Sequence, residues 1–195
     1  MNEPVDRPAI ARAVVHCALG ALGVLALFLL VRPYSGILHD ARLYVGYALA
    51  SLHPASLGQD MVLAEKGQSG FTVFPALLAF AVEALGSSLG AKLVTFAALI
   101  LWFGAAAALM ANLAQGRTRW IMLIFVAVLP AQYAAYEVFG YAEPLAVPRP
   151  FAEAFVLLAM ALLASGRKIA ALVPIASRSC SIPSSPWPGA RFGSG

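Results

Sequence analysis

The sequence predicts an all-α protein, a multi-spanning transmembrane helix bundle with two interfacial helices in its first periplasmic loop. Hydrophobic residues make up 61% of the 195 residues and charged residues only 11%, too little polar surface to cover a soluble domain of this size. The 13 basic residues outnumber the 9 acidic ones and stand singly or in pairs at the ends of apolar runs. This placement indicates membrane anchoring and argues against a nucleic-acid partner.

The first apolar run extends from Val14 to Val31, follows Arg7 and Arg12, and is long enough to span a bilayer. A secretory signal peptide has a similar charge and apolar pattern, but no small-residue cleavage site follows this run. We therefore expect an uncleaved first span, with residues 1–13 in the cytoplasm.

Three further apolar runs are predicted to span the membrane, and these are Leu89–Leu113, Trp120–Tyr136 and Phe151–Ala164. Another run, Phe71 to Leu85, contains Pro75 and Glu83, and its assignment decides the topology. If it spanned, the basic clusters at residues 117–119 and 167–168 would lie opposite the N-terminal arginines, against the positive-inside rule. We therefore predict that it lies at the membrane surface and that the basic clusters face the cytoplasm of a bacterial inner membrane.

Under this topology two segments lie on the periplasmic side, residues 32–88 and residues 137–150, and together they hold most of the acidic residues. Any polar chemistry is expected there. From His39 to His53 the apolar and aromatic residues have helical spacing, which is typical of a helix lying in the membrane interface. The run from Phe71 to Leu85 is predicted to form the second such helix.

The tail from Ser177 to Gly195 is rich in Ser, Pro and Gly and contains no Leu or Val. A packed core cannot be built from such a composition. The tail is either a disordered cytoplasmic segment or the product of a frameshift that interrupts a further span. We favour the frameshift and expect the membrane module to cover residues 14–176.

The order of these features resembles the N-terminal module of the GT-C glycosyltransferases, multi-spanning enzymes that use polyprenyl-phosphate sugars. The resemblance covers Val14 to about Lys168. Its motifs are Leu38-His39-Asp40-Ala41-Arg42-Leu43-Tyr44, the stretch Phe71 to Leu78, Arg117-Thr118-Arg119, and the stretch Tyr141 to Pro150. The family usually has an acidic pair in the first motif, where this chain has Asp40 followed by Ala41.

The resemblance implies sugar transfer at the periplasmic face, with membrane lipid and a polyprenyl-phosphate sugar donor as partners. This chain would then be an N-terminal fragment of such an enzyme, inactive on its own. Two other functions stay open: a transporter or flippase fragment, and a membrane protein with no site. A transporter would place ionisable groups near the middle of the bilayer, whereas the interiors of the predicted spans carry almost no charge.

The resemblance also implies that Asp40 is the catalytic residue, a general base that takes the proton of an acceptor hydroxyl. Such a base must lie within hydrogen-bond reach of the acceptor. The alternative role for Asp40 is a helix N-cap, whose oxygen accepts a backbone N–H, and the two roles do not exclude each other. His39, Arg42 and Tyr44 of the same motif are the expected substrate-binding residues beside it.

Glu143 and Arg149 flank a proline-rich turn and complete the predicted substrate-binding set. An arginine at the outer interface can clamp a lipid phosphate through its planar fork of donors, or it can simply anchor the end of a span in the headgroups. Glu153 is expected to pair with Arg149, which lies one helical turn before it. We predict no metal site, because His39 and His53 lie fourteen residues apart with no cysteine or matched carboxylate spacing between them. We also predict no cofactor, and nucleotide-loop, nucleophile-elbow and H-E-x-x-H motifs do not occur in the sequence.

Overall fold

The structure, a computed structural model, describes residues 7–64, 70–130, 132–133 and 139–166. In chain order their helices are α1 (Arg7–Val31), α2 (Asp40–Leu52), a 3-10 turn (Leu57–Gln59), α3 (Met61–Ala64), α4 (Phe74–Leu85), α5 (Ser87–Leu113), α6 (Thr118–Val128) and α7 (Arg149–Ala164). Between α6 and α7 the short strands β1 (Gln132–Tyr133) and β2 (Phe139–Gly140) pair antiparallel. The predicted all-α class is therefore confirmed.

The long helix α5 is the centre of the fold, and α7, α4, α1 and α6 all pack against it. Among the described helices it is the one that is long and apolar enough to cross a membrane. Shorter apolar helical stretches are Ala18–Val31 in α1, Phe74–Leu85 in α4 and Thr118–Val128 in α6.

A first hydrophobic core, the bundle core, joins α1, α5, α6 and α7. Phe28, Leu99, Phe103 and Leu123 are buried in it, and the rings of Phe28 and Phe103 have centroids 5.1 Å apart. Apolar residues at helical spacing on each of these helices point to this shared interior. The bundle core therefore fixes how these four helices lie against one another.

A second hydrophobic core, the loop core, packs α2 and α4 against the N-terminal half of α5. The ring of Tyr44 meets the ring of Phe74 edge-on, with centroids 5.3 Å apart. Pro75 lies in the first turn of α4, and Gly86 at its end has a φ of 80°, which lets the chain reverse directly into α5. At Gly90 a β-carbon would lie 2.7 Å from the carbonyl oxygen of Ala81, so the two helices are in close backbone contact.

Both helices predicted for the first periplasmic segment are thus present as α2 and α4. The predicted span Trp120–Tyr136 is helical only as far as Val128, where α6 ends; Leu129 is extended, with a ψ of 152°, and Gln132–Tyr133 form β1. Pro130 explains this end, since the residue before a proline avoids helical backbone. Residues 134–138 lie outside the described residues.

The other three predicted spans, residues 14–31, 89–113 and 151–164, lie within α1, α5 and α7. Part of the predicted cytoplasmic segment, residues 1–13, is helical, because α1 begins at Arg7. The predicted tail, residues 177–195, lies outside the described residues. The ends of α1 and α6 meet the starts of α2 and α7 around one cavity. The two predicted periplasmic segments therefore do come together at one end of the bundle.

Candidate functional site

A cavity of about 740 Å³, here called the outer cavity, opens at this end of the bundle. Its charged and polar lining residues are Arg32, His39, Asp40, Gln132, Tyr141, Glu143 and Arg149. Val31, Val128 and Leu145 supply apolar walls. The volume and the mixed lining are those of a site for a small molecule with both polar and apolar parts.

Arg149 joins two carboxylates that come from different parts of the chain. Its Nη2 lies 3.6 Å from Oδ2 of Asp40, and its Nη1 donates to Oε1 of Glu143. The same oxygen of Glu143 accepts the backbone N–H of Gly140 at 2.9 Å. Pro150 lies in the first turn of α7, where a missing N–H costs nothing, so the helix can begin at Arg149. Three predicted site residues are therefore in contact.

The three side chains differ in exposure. The side chain of Asp40 is 57% exposed, whereas Arg149 is 25% and Glu143 only 16% exposed. Glu143 is thus the structural partner that fixes the arginine, and Asp40 presents its carboxylate to the open cavity. An ion pair at this exposure contributes about 0–1 kcal/mol to stability, so it orients Asp40 more than it holds the fold together.

Asp40 is the first residue of α2, and the N-cap position belongs to His39, which makes no side-chain cap hydrogen bond. The alternative N-cap role for Asp40 is therefore wrong. His39 has a φ of 47° and a ψ of −131°, a backbone conformation that residues with a side chain rarely adopt. This turn places His39 and Asp40 together on the wall of the cavity.

Two predicted substrate-binding residues, Arg42 and Tyr44, are absent from the described lining of the outer cavity. Arg42 is exposed, and its Nε donates to the carbonyl oxygen of Ile37 at 3.4 Å. Tyr44 is buried in the loop core. Burial raises the pKa of the Tyr44 hydroxyl above its ordinary value of 10.0; the negative charge of Asp40 adds to this shift and Arg149 opposes it. Tyr44 therefore packs in the loop core near both charges of the ion pair.

Arg32 is a lining residue that the sequence interpretation did not identify. Its Nη2 donates to the carbonyl oxygen of Leu129. Its guanidinium carbon lies 5.2 Å from the ring centroid of Phe28 and 5.3 Å from that of Tyr141. The sequence does show a cation directly after the first predicted span. An arginine in that position is, however, commonly a membrane anchor, so the position alone does not indicate a site. Phe28 lies one helical turn before Arg32, but Leu129 and Tyr141 come from other elements, so the sequence pattern does not indicate them.

Behind the outer cavity lies an aromatic wall made by Tyr141 and Trp102, whose rings are stacked with centroids 5.9 Å apart. The hydroxyl of Tyr141 lies 2.7 Å from the carbonyl oxygen of Val126. This contact ties the loop after β2 to the end of α6. The aromatic wall therefore fixes the position of the cavity lining relative to the bundle core.

Glu153 of α7 anchors this wall. Its Oε2 accepts the indole N–H of Trp102 and the backbone N–H of Ala142, both at 2.9 Å. Ala142 is buried and has a φ of 48°, so the carboxylate stabilises a strained turn. Arg149 was the predicted partner of Glu153; the structure instead pairs Arg149 with Asp40 and Glu143 and gives Glu153 these two donors.

A second cavity of about 420 Å³ adjoins the first and shares Tyr141 and Arg149 with it. Its remaining lining residues lie in the cleft between α5 and α7 and are mostly apolar: Trp102, Ala152, Glu153, Val156 and Leu157. We call it the apolar cleft. A ligand with a charged head and an apolar chain would find both environments side by side here.

Comparison with known proteins finds no family model, no curated protein and no solved structure that matches this chain.

Proposed function

We propose that this chain is the N-terminal membrane module of a GT-C-like glycosyltransferase and that its outer cavity binds a polyprenyl-phosphate sugar. The observation that carries the proposal is the contact of Asp40 with Arg149 at the rim of the outer cavity, where Nη2 and Oδ2 are 3.6 Å apart. A general base must be able to reach the acceptor hydroxyl, and the exposed carboxylate of Asp40, oriented by Arg149, is open to a ligand in the cavity.

A bundle that crosses the membrane several times is supported by its outer surface. Large apolar side chains are exposed on four helices, and they include Leu19, Leu22, Leu30, Leu89, Leu93, Ile100, Ile121, Phe125, Val156, Met160 and Leu163. An apolar surface of this extent is uncommon in soluble monomers, whereas lipid tails solvate it without cost. We infer that α1, α5, α6 and α7 lie in the bacterial inner membrane, with the N-terminus in the cytoplasm.

The short helix α6 supports a recessed site. It has 11 residues and is therefore about 16 Å long, whereas the hydrocarbon core is about 30 Å thick. If α6 starts at the cytoplasmic surface, its end at Val128 lies below the periplasmic surface. Irregular backbone at that depth is tolerated where it lines a water-filled cavity, and Val128 and Pro130 line the outer cavity. The cavity would then be open to a lipid phosphate from the side of the outer leaflet.

In this proposal Asp40, Arg149 and the apolar cleft have different roles. Asp40 takes the proton of the acceptor hydroxyl as that oxygen attacks the anomeric carbon of the sugar. The bond from that carbon to the phosphate oxygen breaks, and polyprenyl phosphate leaves with the electron pair. Arg149 orients Asp40, and the apolar cleft takes the first isoprene units of the donor.

The test separates donor binding from transfer. Binding is measured on this chain in lipid nanodiscs. Sugar transfer is measured in a full-length relative with the same motif, because we expect this chain to be inactive alone. Asn in place of Asp40 should leave binding intact and reduce transfer about 100-fold or more. Asp60→Asn is the matched control, since Asp60 accepts the N–H of Val62 outside the outer cavity. Full transfer with Asn in place of Asp40 would remove this residue from the mechanism.

A further inference from the structure

The two arginines that line the outer cavity have different electrostatic surroundings. Arg149 is paired with Asp40 and Glu143, so this group of three carries a net negative charge. No acidic side chain among the described residues lies within ion-pair distance of Arg32. The positive charge that is left uncompensated on the described cavity wall is therefore the one on Arg32.

The guanidinium of Arg32 is also incompletely hydrogen bonded. Nη2 donates to the carbonyl oxygen of Leu129, but Nη1 is buried and has no acceptor among the described residues. A buried N–H of a charged group without an acceptor is costly, and such groups in native proteins commonly bind an ion or a water molecule. An anion beside Arg32 would supply the missing acceptor.

The aromatic neighbours of Arg32 fix the orientation of its guanidinium group. Phe28 and Tyr141 place their rings 5.2 and 5.3 Å from its guanidinium carbon, and cation–π contacts of this kind fix the plane of the group. Tyr141 lines both the outer cavity and the apolar cleft. An anion held by Arg32 therefore lies next to the place where an apolar chain can enter the bundle.

We propose that Arg32, and not Arg149, is the residue that binds the phosphate group of the ligand in the outer cavity. The ligand class is a phosphate ester, either the phosphate of an isoprenoid lipid or a free phosphate. The lipid form of this inference rests on the proposed function. The planar fork of an arginine can donate two hydrogen bonds to phosphate oxygens, which a lysine cannot do in the same geometry.

The experiment uses the full chain in nanodiscs of neutral phosphatidylcholine and measures dissociation constants by microscale thermophoresis. Farnesyl phosphate is the probe, with farnesol as the chain without phosphate and inorganic phosphate as the phosphate without chain. Arg32→Gln should weaken binding of farnesyl phosphate about 10- to 100-fold, the range for a lost charged hydrogen bond. Arg42→Gln is the matched control and should change nothing, because Arg42 is exposed and absent from the described cavity lining.

Arg32→Lys is the control for misfolding. It keeps the positive charge and a donor for the carbonyl oxygen of Leu129, but it lacks the planar pair of donors of the guanidinium. It should bind farnesyl phosphate about fivefold or more weakly than the wild type while keeping its melting temperature. Wild-type affinity in both Arg32 variants, or weakening by Arg149→Gln alone, would overturn the assignment of Arg32 and leave the proposed function standing.

The probes separate the two sources of phosphate. Tight binding of farnesyl phosphate with weak binding of both farnesol and inorganic phosphate supports a lipid-linked ligand. Equal, Arg32-dependent binding of inorganic phosphate and farnesyl phosphate would support the anion site and contradict the proposed donor function. If the wild type binds none of the three probes, both proposals are wrong.

Discussion

Arg149 holds Asp40 across the boundary between the two hydrophobic cores, with Nη2 and Oδ2 3.6 Å apart. Asp40 begins α2, which packs in the loop core, and Arg149 begins α7, which packs in the bundle core. The candidate site thus lies where two separately packed units meet. Its geometry depends on how α2 is docked against the start of α7.

Replacing Arg149 should destabilise the protein more than replacing Asp40. Arg149→Gln leaves the largely buried carboxylate of Glu143 without its cation, which should cost about 1–3 kcal/mol. Asp40→Asn should cost less than about 1 kcal/mol, because its ion pair is exposed. Thermal unfolding in detergent measures both, with Arg42→Gln as the control. Equal losses in the two variants would show that Glu143 does not depend on Arg149.

Glu153 should be needed for the aromatic wall. Glu153→Leu leaves the indole N–H of Trp102 and the N–H of Ala142 without an acceptor, and two unpaired buried donors should cost about 2–4 kcal/mol. Glu153→Gln keeps a carbonyl oxygen at the same position and should lose about half as much or less. Thermal unfolding of the two variants decides this. A Gln variant as unstable as the Leu variant would mean that the charge, not the hydrogen bonds, is required.

Tyr44 should make the stability of the protein decrease at high pH. Because burial raises the pKa of Tyr44 above 10.0, the folded state keeps this proton at a pH where the unfolded state has lost it. Stability should therefore fall as pH rises from about 10 through the raised pKa. Tyr44→Phe removes the ionisable hydroxyl and should flatten the decline in stability between pH 9 and 11. Unchanged pH dependence in the Phe variant would contradict the burial of the phenol.

The proposed topology can be tested with single cysteines after Cys17 and Cys180 are replaced by Ser. Ser35→Cys lies just after α1 at the end with the outer cavity, and Gln115→Cys lies in the connection between α5 and α6, both at exposed positions. A membrane-impermeant maleimide added to intact bacterial cells, with the outer membrane permeabilised, should label residue 35 and not residue 115. Labelling of residue 115 without lysis would overturn the assignment of the cavity to the periplasm.

Much of the site was predictable because it follows from topology. Once the two periplasmic segments are assigned to one face, Asp40, Glu143 and Arg149 are expected to lie near one another, and the structure brings them into contact. Arg42 belongs to the same motif as Asp40 but lies outside the described cavity lining, because helical geometry turns its side chain away from the cavity. Motif membership alone does not place a side chain in a site.

Two features were not predicted, for different physical reasons. The end of α6 was missed because hydropathy continues past Leu129, while the backbone restriction imposed by Pro130 ends the helix there. Arg32 was missed because its decisive neighbours are tertiary: Phe28 lies one helical turn before it, but Leu129 and Tyr141 meet it only after α1, α6 and the loop after β2 have packed together. A sequence pattern carries the first kind of information but not the second.

Photo-crosslinking locates a bound donor directly. A polyprenyl-phosphate sugar with a diazirine on the sugar is bound to the wild-type chain in nanodiscs, irradiated, and the labelled peptides are identified by mass spectrometry. The proposal predicts labels on peptides that contain residues 32–40 and 140–149, removed by an excess of unlabelled donor. Labels spread over the exposed apolar faces of α1 and α5, and unaffected by competitor, would contradict a donor site in the outer cavity.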